Sequence, residues 1–303
     1  MEIGLGIDGQ FALGADDQRA LAREASALGY RSLWTPSAST REPFDLCALW
    51  QEASGLPTGI AVAPLSGWSI EDLAAVARDT FRRCDGRFTL GVGSGRATAA
   101  PIRLMRDAIA ALRTRLPERE VYLGAIGPQM LRLAGERYDG AALNWCSPAQ
   151  VAWSRERVAA GARSAGRDPA VVRIHEYVRV CVDDDEDAAR ASFAKAVLSY
   201  ALRAGVDPAK GYRAHFARMG FGPVLADLES RRAQGAGEDE LAHRFPDELL
   251  RLVGYWGRPA GARDAFRKLA SGLDIAVVRL VPARRNDAVA VRFAMSACAP
   301  ERG

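Results

Sequence analysis

Along the chain, short apolar runs alternate with longer stretches whose apolar positions recur at helical spacing. Runs at residues 3–8, 32–35, 59–64, 88–93, 120–127, 140–145, 174–182 and 275–281 predict eight strands. The last reads Ile275-Ala276-Val277-Val278-Arg279-Leu280-Val281, almost continuously apolar, as expected for a parallel strand buried on both faces. Helix-start signals stand between the runs. Ser147-Pro148-Ala149-Gln150 places a capping serine, a first-turn proline and a reciprocal glutamine, and Pro128 opens a second helix. Eight strands joined by helices predict an α/β fold, a (β/α)8 TIM barrel, with an open doubly wound sheet as the alternative. One connection is too long for a single helix. Residues 183–274 are expected to be an insertion between the seventh and eighth strands, packed over one end of a single domain spanning 1–303.

Composition narrows the class. With 303 residues, 49% hydrophobic and 26% charged, the chain has too much apolar matter for disorder. A net charge of +4 is too small, and its charges too interspersed, for a nucleic-acid partner. No run approaches a membrane span, and the N-terminus lacks the marks of a signal peptide. Cys47, Cys84, Cys146, Cys181 and Cys298 are odd in number and without a CxxC, so they read as buried small hydrophobes in a reducing compartment. The expectation is a soluble cytoplasmic protein with a small-molecule substrate and neither nucleic acid nor membrane as partner.

Barrel chemistry collects at the carboxyl ends of the strands. None of those ends carries a lysine, and only Lys195, Lys210 and Lys268 occur in the chain, which argues against Schiff-base chemistry. Neither a histidine pair nor a close carboxylate pair is placed there for metal-assisted or glycosidic hydrolysis. No metal site is expected. What remains binds instead of attacking. Gly91-Val92-Gly93-Ser94-Gly95 permits close backbone approach of a ligand, though turn glycines explain it equally well. Ala125-Ile126-Gly127-Pro128 leads into a helix whose free N–H groups favour an anion, or is an ordinary strand-to-helix turn. His175-Glu176 lies near the start of the seventh strand and reads as structural, as do His215 and His243 in the insertion. Tyr212, Arg213, His215 and Arg218 reach the site only if the insertion closes over it. Asp183-Asp184-Asp185-Glu186-Asp187 reads as a helix start and not as a metal cluster. For Trp34 and Trp145, packing and ligand contact are equally open.

Taken together, Leu33-Trp34, REPFD at 41–45, TGIAVAP at 58–64, DGRFTLGVG at 85–93, VYLGAIGPQML at 121–131 and AGERYDGAALNW at 134–145 form a collinear set. Gly161-Ala162 and AGRDP at 165–169 continue it. The set resembles the bacterial-luciferase-like flavin and deazaflavin oxidoreductases, most of all their coenzyme F420-dependent, methylenetetrahydromethanopterin-reductase-like branch. Similarity runs through the first half of the chain and is faint beyond. The resemblance implies a TIM barrel, often dimeric, with the cofactor ring at the mouth and hydride transfer as the chemistry. By resemblance, Ala63 and Pro64 lie beneath the ring, where the family often has a strained, sometimes cis, peptide. Gly93, Ser94 and Gly95 line the ribityl chain, Ala125, Ile126 and Gly127 receive the phosphate, and Asn144 bonds the ring or ribityl group. Ser37 and Ala38 stand where the family usually has an acid followed by histidine, so Ser37 and Asn144 are the candidate catalytic residues. The implied function is hydride transfer between F420 and a small organic substrate. Alternatives are an FMN-dependent monooxygenase of the same superfamily and a flavin-binding protein without activity.

Overall fold

A computed structural model describes residues 1–7, 9–36, 39–95, 99–203 and 207–301. Strands β1 (Glu2–Gly6), β2 (Ser32–Thr35), β3 (Thr58–Pro64), β4 (Phe88–Gly93), β5 (Val121–Gly124) and β6 (Gly140–Asn144) alternate with helices α1 (Ala15–Ala27), α2 (Glu42–Ser54), α3 (Ile70–Arg83), α4 (Pro101–Arg115), α5 (Pro128–Arg137) and α6 (Pro148–Ser164). Strand β7 (Arg173–Val182) is followed by α7 (Glu186–Ala201), α8 (Gly211–Phe216), α9 (Gly222–Ala233), α10 (Glu238–His243), α11 (Asp247–Val253), β8 (Gly254–Gly257) and α12 (Pro259–Leu269). Strand β9 (Ile275–Leu280) and helix α13 (Ala288–Ala297) close the chain.

The predicted barrel forms. Strands β1 to β7 and β9 pair in parallel and close on themselves through β6–β7, β7–β9 and β9–β1. One feature went unforeseen: β8, reading Gly254-Tyr255-Trp256-Gly257, pairs, among the described residues, with the outer half of β7 alone, at Arg179–Val182. Four residues flanked by glycines give too little period-2 pattern to announce a strand. The 183–274 connection is therefore not all insertion, because α12 packs against β7, β8 and α13 in the outer helical ring. No helix among the described residues is long and apolar enough to cross a membrane.

Three apolar clusters hold the fold. The largest fills the layer between the strands and the outer helices. A second, built on Phe193, Phe216, Phe221, Phe245 and Trp256, lies under α7 to α11 and takes in Trp145 from the barrel. The third lies inside the barrel and contains Trp34, Tyr122, Tyr177, Ile275 and Val277. Large rings inside need small residues opposite, as in any packed barrel interior. A Cβ on Gly59 would sit 2.3 Å from the Trp34 ring. His175 belongs to this floor. Its ring lies 4.3 Å from that of Trp34, its two nitrogens have no partner among the described residues, and burial pushes its pKa down to about 3. Neutral packing is the role the sequence suggested for it.

The helix starts behave as read. Ser147 accepts from Gln150 N at 3.2 Å, Pro128 opens α5, and Asp185 caps α7 by accepting from Ala188 N at 3.0 Å. All five cysteines are buried and unpaired.

Candidate functional site

The carboxyl ends of the strands form a mouth whose two sides differ in chemistry. On the β3–β5 side it is small and apolar. The β3–β4 pairing shifts register between Ile60 and Ala63, and the peptide bond from Ala61 to Val62 is cis. That is two residues before the Ala63-Pro64 pair named from the sequence. The irregularity turns both Ala61 and Val62 to the barrel interior, while Ala63 belongs to the outer core. A Cβ on Gly93 would lie 2.8 Å from Val62, so glycine there leaves room for the valine. Pro64 pairs with Gly93, and Gly95, in the left-handed region at φ 62°, packs close to Pro64 and Ser66. Ala63, Pro64, Gly93, Ser94 and Gly95 thus gather at two adjacent strand ends, Ala63 through its backbone. Ala125, Ile126 and Gly127 follow at the end of β5, where Ala125 N donates to Ala142 O at 3.0 Å.

Helix α5 starts without a side-chain cap: Gly127 has extended backbone, Pro128 is at the first turn, and open space surrounds the Gly127 Cα. The N–H groups of its first turn are left to solvent or an anion. Arg218, from the insertion, donates to Ile126 O at 2.6 Å beside them.

The β6–β9 side is cationic. Alternation along β7 puts His175, Tyr177 and Arg179 on one face, and along β9 it aligns Ile275, Val277 and Arg279. Arg179 and Arg279 are direct register partners on adjacent strands, only 2% and 8% exposed. The Arg179 guanidinium lies 3.8 Å from the centre of the Trp145 ring and donates to Asn144 Oδ1 at 2.5 Å. Asn144 Nδ2 donates to Tyr212 Oη at 2.6 Å. The asparagine therefore ties a strand-end cation to the insertion, a positioning role that differs from the ligand contact expected of it. Ser37, together with Ala38 and Asp8, lies outside the described residues.

The insertion does close over the mouth. Tyr212, His215 and Arg218 reach the β5 and β6 ends, while Arg213 turns away to Glu229. His215 Nε2 meets the Trp145 carbonyl at 2.9 Å, so that nitrogen carries the proton; Nδ1 faces Arg218 at 3.3 Å. Burial first, with Arg218 adding, lowers its pKa to about 4. Behind the same loop, on the other face of β7, Glu176 Oε1 accepts from Cys146 N at 2.6 Å. Burial raises the Glu176 pKa to about 8 despite that bond and Arg179. Trp145, between these two anchors, has φ 59°, a conformation an aromatic residue adopts only under constraint.

A cavity of about 300 Å³ opens on this cationic side, between Arg179 and Arg279 below and α7 above. Lys195 of α7 lines it too. Its hydrogen-bonded ion pair with Asp239 raises its pKa, the opposite of what a covalent amine needs.

Sequence reasoning passed over Arg179 and Arg279. The signal was present: an arginine inside a strand buried on both faces has no lateral route to water, and must lie along the barrel axis.

Comparison with known proteins agrees with the geometry. The sequence matches the luciferase-like monooxygenase family over residues 102–274, more than half of the chain, and the chain belongs to that family. The 5,10-methylenetetrahydromethanopterin reductase of Methanolobus tindarius is 26% identical, covering 86% of this chain and 87% of the relative. The enzyme of the same name from Archaeoglobus fulgidus is 24% identical over 61% of this chain and 64% of its own length. Among solved structures, the coenzyme F420 dependent tetrahydromethanopterin reductase of Methanopyrus kandleri superposes with a TM-score of 0.75 at 15% identity, over 99% of this chain and 98% of that one. An F420-dependent secondary alcohol dehydrogenase gives 0.72 at 13% identity, over 97% and 96%. The family match lies largely beyond the first half, to which the sequence resemblance was confined.

Proposed function

We propose that this luciferase-like chain is an oxidoreductase that passes hydride between coenzyme F420 and a small organic substrate. What carries the reading is the similarity to a methylenetetrahydromethanopterin reductase along 86% of the chain. The mouth supports it. The residues fit a planar, phosphate-bearing cofactor: a small-residue shelf at Ala61, Val62 and Gly93 stands beside an uncapped helix start at Gly127. When bound, the deazaflavin supplies the hydride chemistry, and the protein supplies orientation and electrostatics.

Each part of the chain then has a task. Ala61, Val62, Pro64 and Gly93 offer a flat apolar support, with Ser94 and Gly95 beside it. The first turn of α5, at Gly127, receives the phosphate with its N–H groups and dipole. Ala125 and Ile126 hold that turn against β6, and Arg218 fixes its carbonyl side. Helices α7 and α8 cover the mouth and limit water, which strengthens every polar contact beneath them. A cytoplasmic homodimer is part of the same proposal.

The test is a titration of the purified protein with oxidised F420 and, separately, with FMN, followed by absorbance and fluorescence. Saturable binding of F420 alone is the expected result. Binding of FMN alone moves the protein to the monooxygenase class, and binding of neither removes both enzyme readings.

A further inference from the structure

A chain of hydrogen bonds with a fixed direction runs from the barrel into the insertion. It starts at Arg179, whose Nη1 donates to Asn144 Oδ1 at 2.5 Å. A guanidinium only donates, so the amide must turn its oxygen to Arg179 and its nitrogen to Tyr212. Asn144 Nδ2 then donates to Tyr212 Oη at 2.6 Å, which makes the phenol oxygen an acceptor. The Tyr212 O–H is left to donate onward, and it has no acceptor among the described residues. Each bond in such a chain polarises the next, so a cation at its head makes the last O–H a stronger donor than an isolated phenol. Burial, with Tyr200 adding, raises the Tyr212 pKa to about 12, and the proton stays on the oxygen at neutral pH. The ring itself is held edge-on by Tyr200 and His215, with centroids 4.8 and 6.3 Å away.

This donor stands beside the shelf. Asn144 lies two residues beyond Ala142 on β6 and shares the inward face of that residue, which belongs to the barrel interior. Ala142 pairs with Gly124 of β5, where a Cβ would lie 3.2 Å from Val62. The Asn144–Tyr212 pair is thus on the strand next to the shelf, at a strand spacing of about 4.8 Å. A lone O–H with no acceptor in reach fits an oxygen that only accepts, that of a carbonyl, better than a hydroxyl, which brings a donor of its own.

We propose that Tyr212 donates a hydrogen bond to a carbonyl oxygen of the molecule bound at the mouth, with Asn144 and Arg179 as the residues that position and polarise it. A ketone or aldehyde substrate and the carbonyl groups of a deazaflavin ring offer that oxygen alike. The bearing of this donor on hydride transfer rests on the F420 reading; the hydrogen bond itself does not.

The probe is acetophenone labelled with carbon-13 at its carbonyl, titrated into the full-length protein with and without saturating oxidised F420 and followed by NMR. A hydrogen bond draws electron density from the carbonyl carbon and moves its resonance downfield. The expected result is saturable binding with a downfield shift relative to the probe in water. Tyr212→Phe keeps the ring and deletes the donor; it should turn the shift upfield and weaken binding roughly threefold to tenfold. Tyr200→Phe removes the neighbouring hydroxyl from the same ring pair and should change neither. F420 affinity of the same variants separates the two sources. If Tyr212→Phe loses the probe shift and keeps its F420 affinity, the oxygen is the substrate's. If it loses F420 affinity by a similar factor while the probe is indifferent to it, the oxygen is the ring's. Should Tyr212→Phe not fold, the direction of the wild-type shift decides alone, and an upfield shift or no saturable binding overturns the proposal. A folded Tyr212→Phe protein that changes neither probe nor F420 binding overturns it too, as does an equal response to Tyr200→Phe. A Tyr212-dependent probe shift without F420 binding upholds the donor and removes the F420 reading. F420 binding with no response to Tyr212→Phe does the reverse.

Discussion

Glu176 offers the sharpest quantitative prediction, because one buried carboxyl holds the loop on which the mouth depends. It is 2% exposed, its Oε1 takes the Cys146 N–H at 2.6 Å, and its Oε2 has no partner among the described residues. Burial is the main cause of a pKa raised from 4.5 to about 8. The sign follows directly. Between pH 5 and 8 the folded protein keeps a proton that the unfolded chain has released, so unfolding releases a proton and stability falls as pH rises. The stability is fully present below the unfolded pKa and is lost through the folded one. One proton of difference amounts to about 1.4 kcal/mol per pH unit. From pH 6 to pH 8 the wild type should therefore lose about 2–3 kcal/mol on account of this group alone.

Glu176→Gln keeps the acceptor for Cys146 N and removes the ionisation. Urea unfolding of both proteins at pH 6, 7 and 8 isolates the effect as a difference between them, since every other group titrates in both. At a slope of about 3 kcal/mol per molar urea, the wild-type midpoint should fall by a little under 1 M more than that of the variant. Parallel loss of stability in the two proteins would mean that Glu176 is ionised in the fold, and would refute the argument.

Three other substitutions test separate parts of the structure. Gly127→Asp fits the open space at that residue and supplies a cap that α5 lacks; it should hold or slightly raise the melting temperature while abolishing F420 binding, by occupying the N–H groups and adding negative charge. Gly59→Ala drives a Cβ to 2.3 Å from Trp34, inside a floor also packed with His175, and should cost about 1–3 kcal/mol in urea unfolding; a neutral result would mean that the barrel floor has slack. Asn144→Ala removes the acceptor that orients Arg179 and the donor to Tyr212, both at part-buried positions, and should cost about 1–3 kcal/mol in urea unfolding; a neutral result would show that the Trp145 ring alone suffices to hold Arg179. On the acid side, His175 and His215 are held neutral by burial, with pKa values of about 3 and about 4. Their stability is present above pH 6.5 and is lost as the pH falls toward those values, so stability should peak near pH 6–7.

Most of the fold was legible in the sequence because a barrel repeats one signal. Eight strands announced themselves as apolar runs, and Ser147, Pro128 and Asp185 marked helix starts where the structure has them. What stayed hidden depends on neighbours distant in the chain. Strand β8 exists only because β7 runs past the barrel rim and presents an open edge from Arg179 to Val182. Val62 turns inward only because β3 and β4 lose register between Ile60 and Ala63. Tyr212 reaches Asn144 across 68 positions, a contact no local pattern encodes. The arginines were different. Arg279 stood in plain view inside an apolar strand, and the question of where such a charge goes in a strand covered on both faces was answerable from the sequence.

That question also explains why the long connection sits where it does. Two guanidinium groups in register on neighbouring strands repel, and their burial is tolerated only where fixed dipoles, ring faces and anions surround them. The barrel alone supplies part of this, through Asn144 and the face of Trp145. The insertion supplies more: the Tyr200 ring lies 5.3 Å from Arg179, and Tyr212 holds the far end of Asn144. It also fixes the strand-end backbone, since His215 bonds the Trp145 carbonyl while Glu176 takes the next N–H from the opposite side. Trp145 keeps its left-handed backbone because these two anchors over-determine it. The apolar shelf on the β3–β5 side is organised by the strand ends themselves, where Val62 fills the space that Gly93 and Gly124 leave open. The asymmetry of the mouth is thus one design: a preformed support on one side, and on the other a charged wall completed by the insertion.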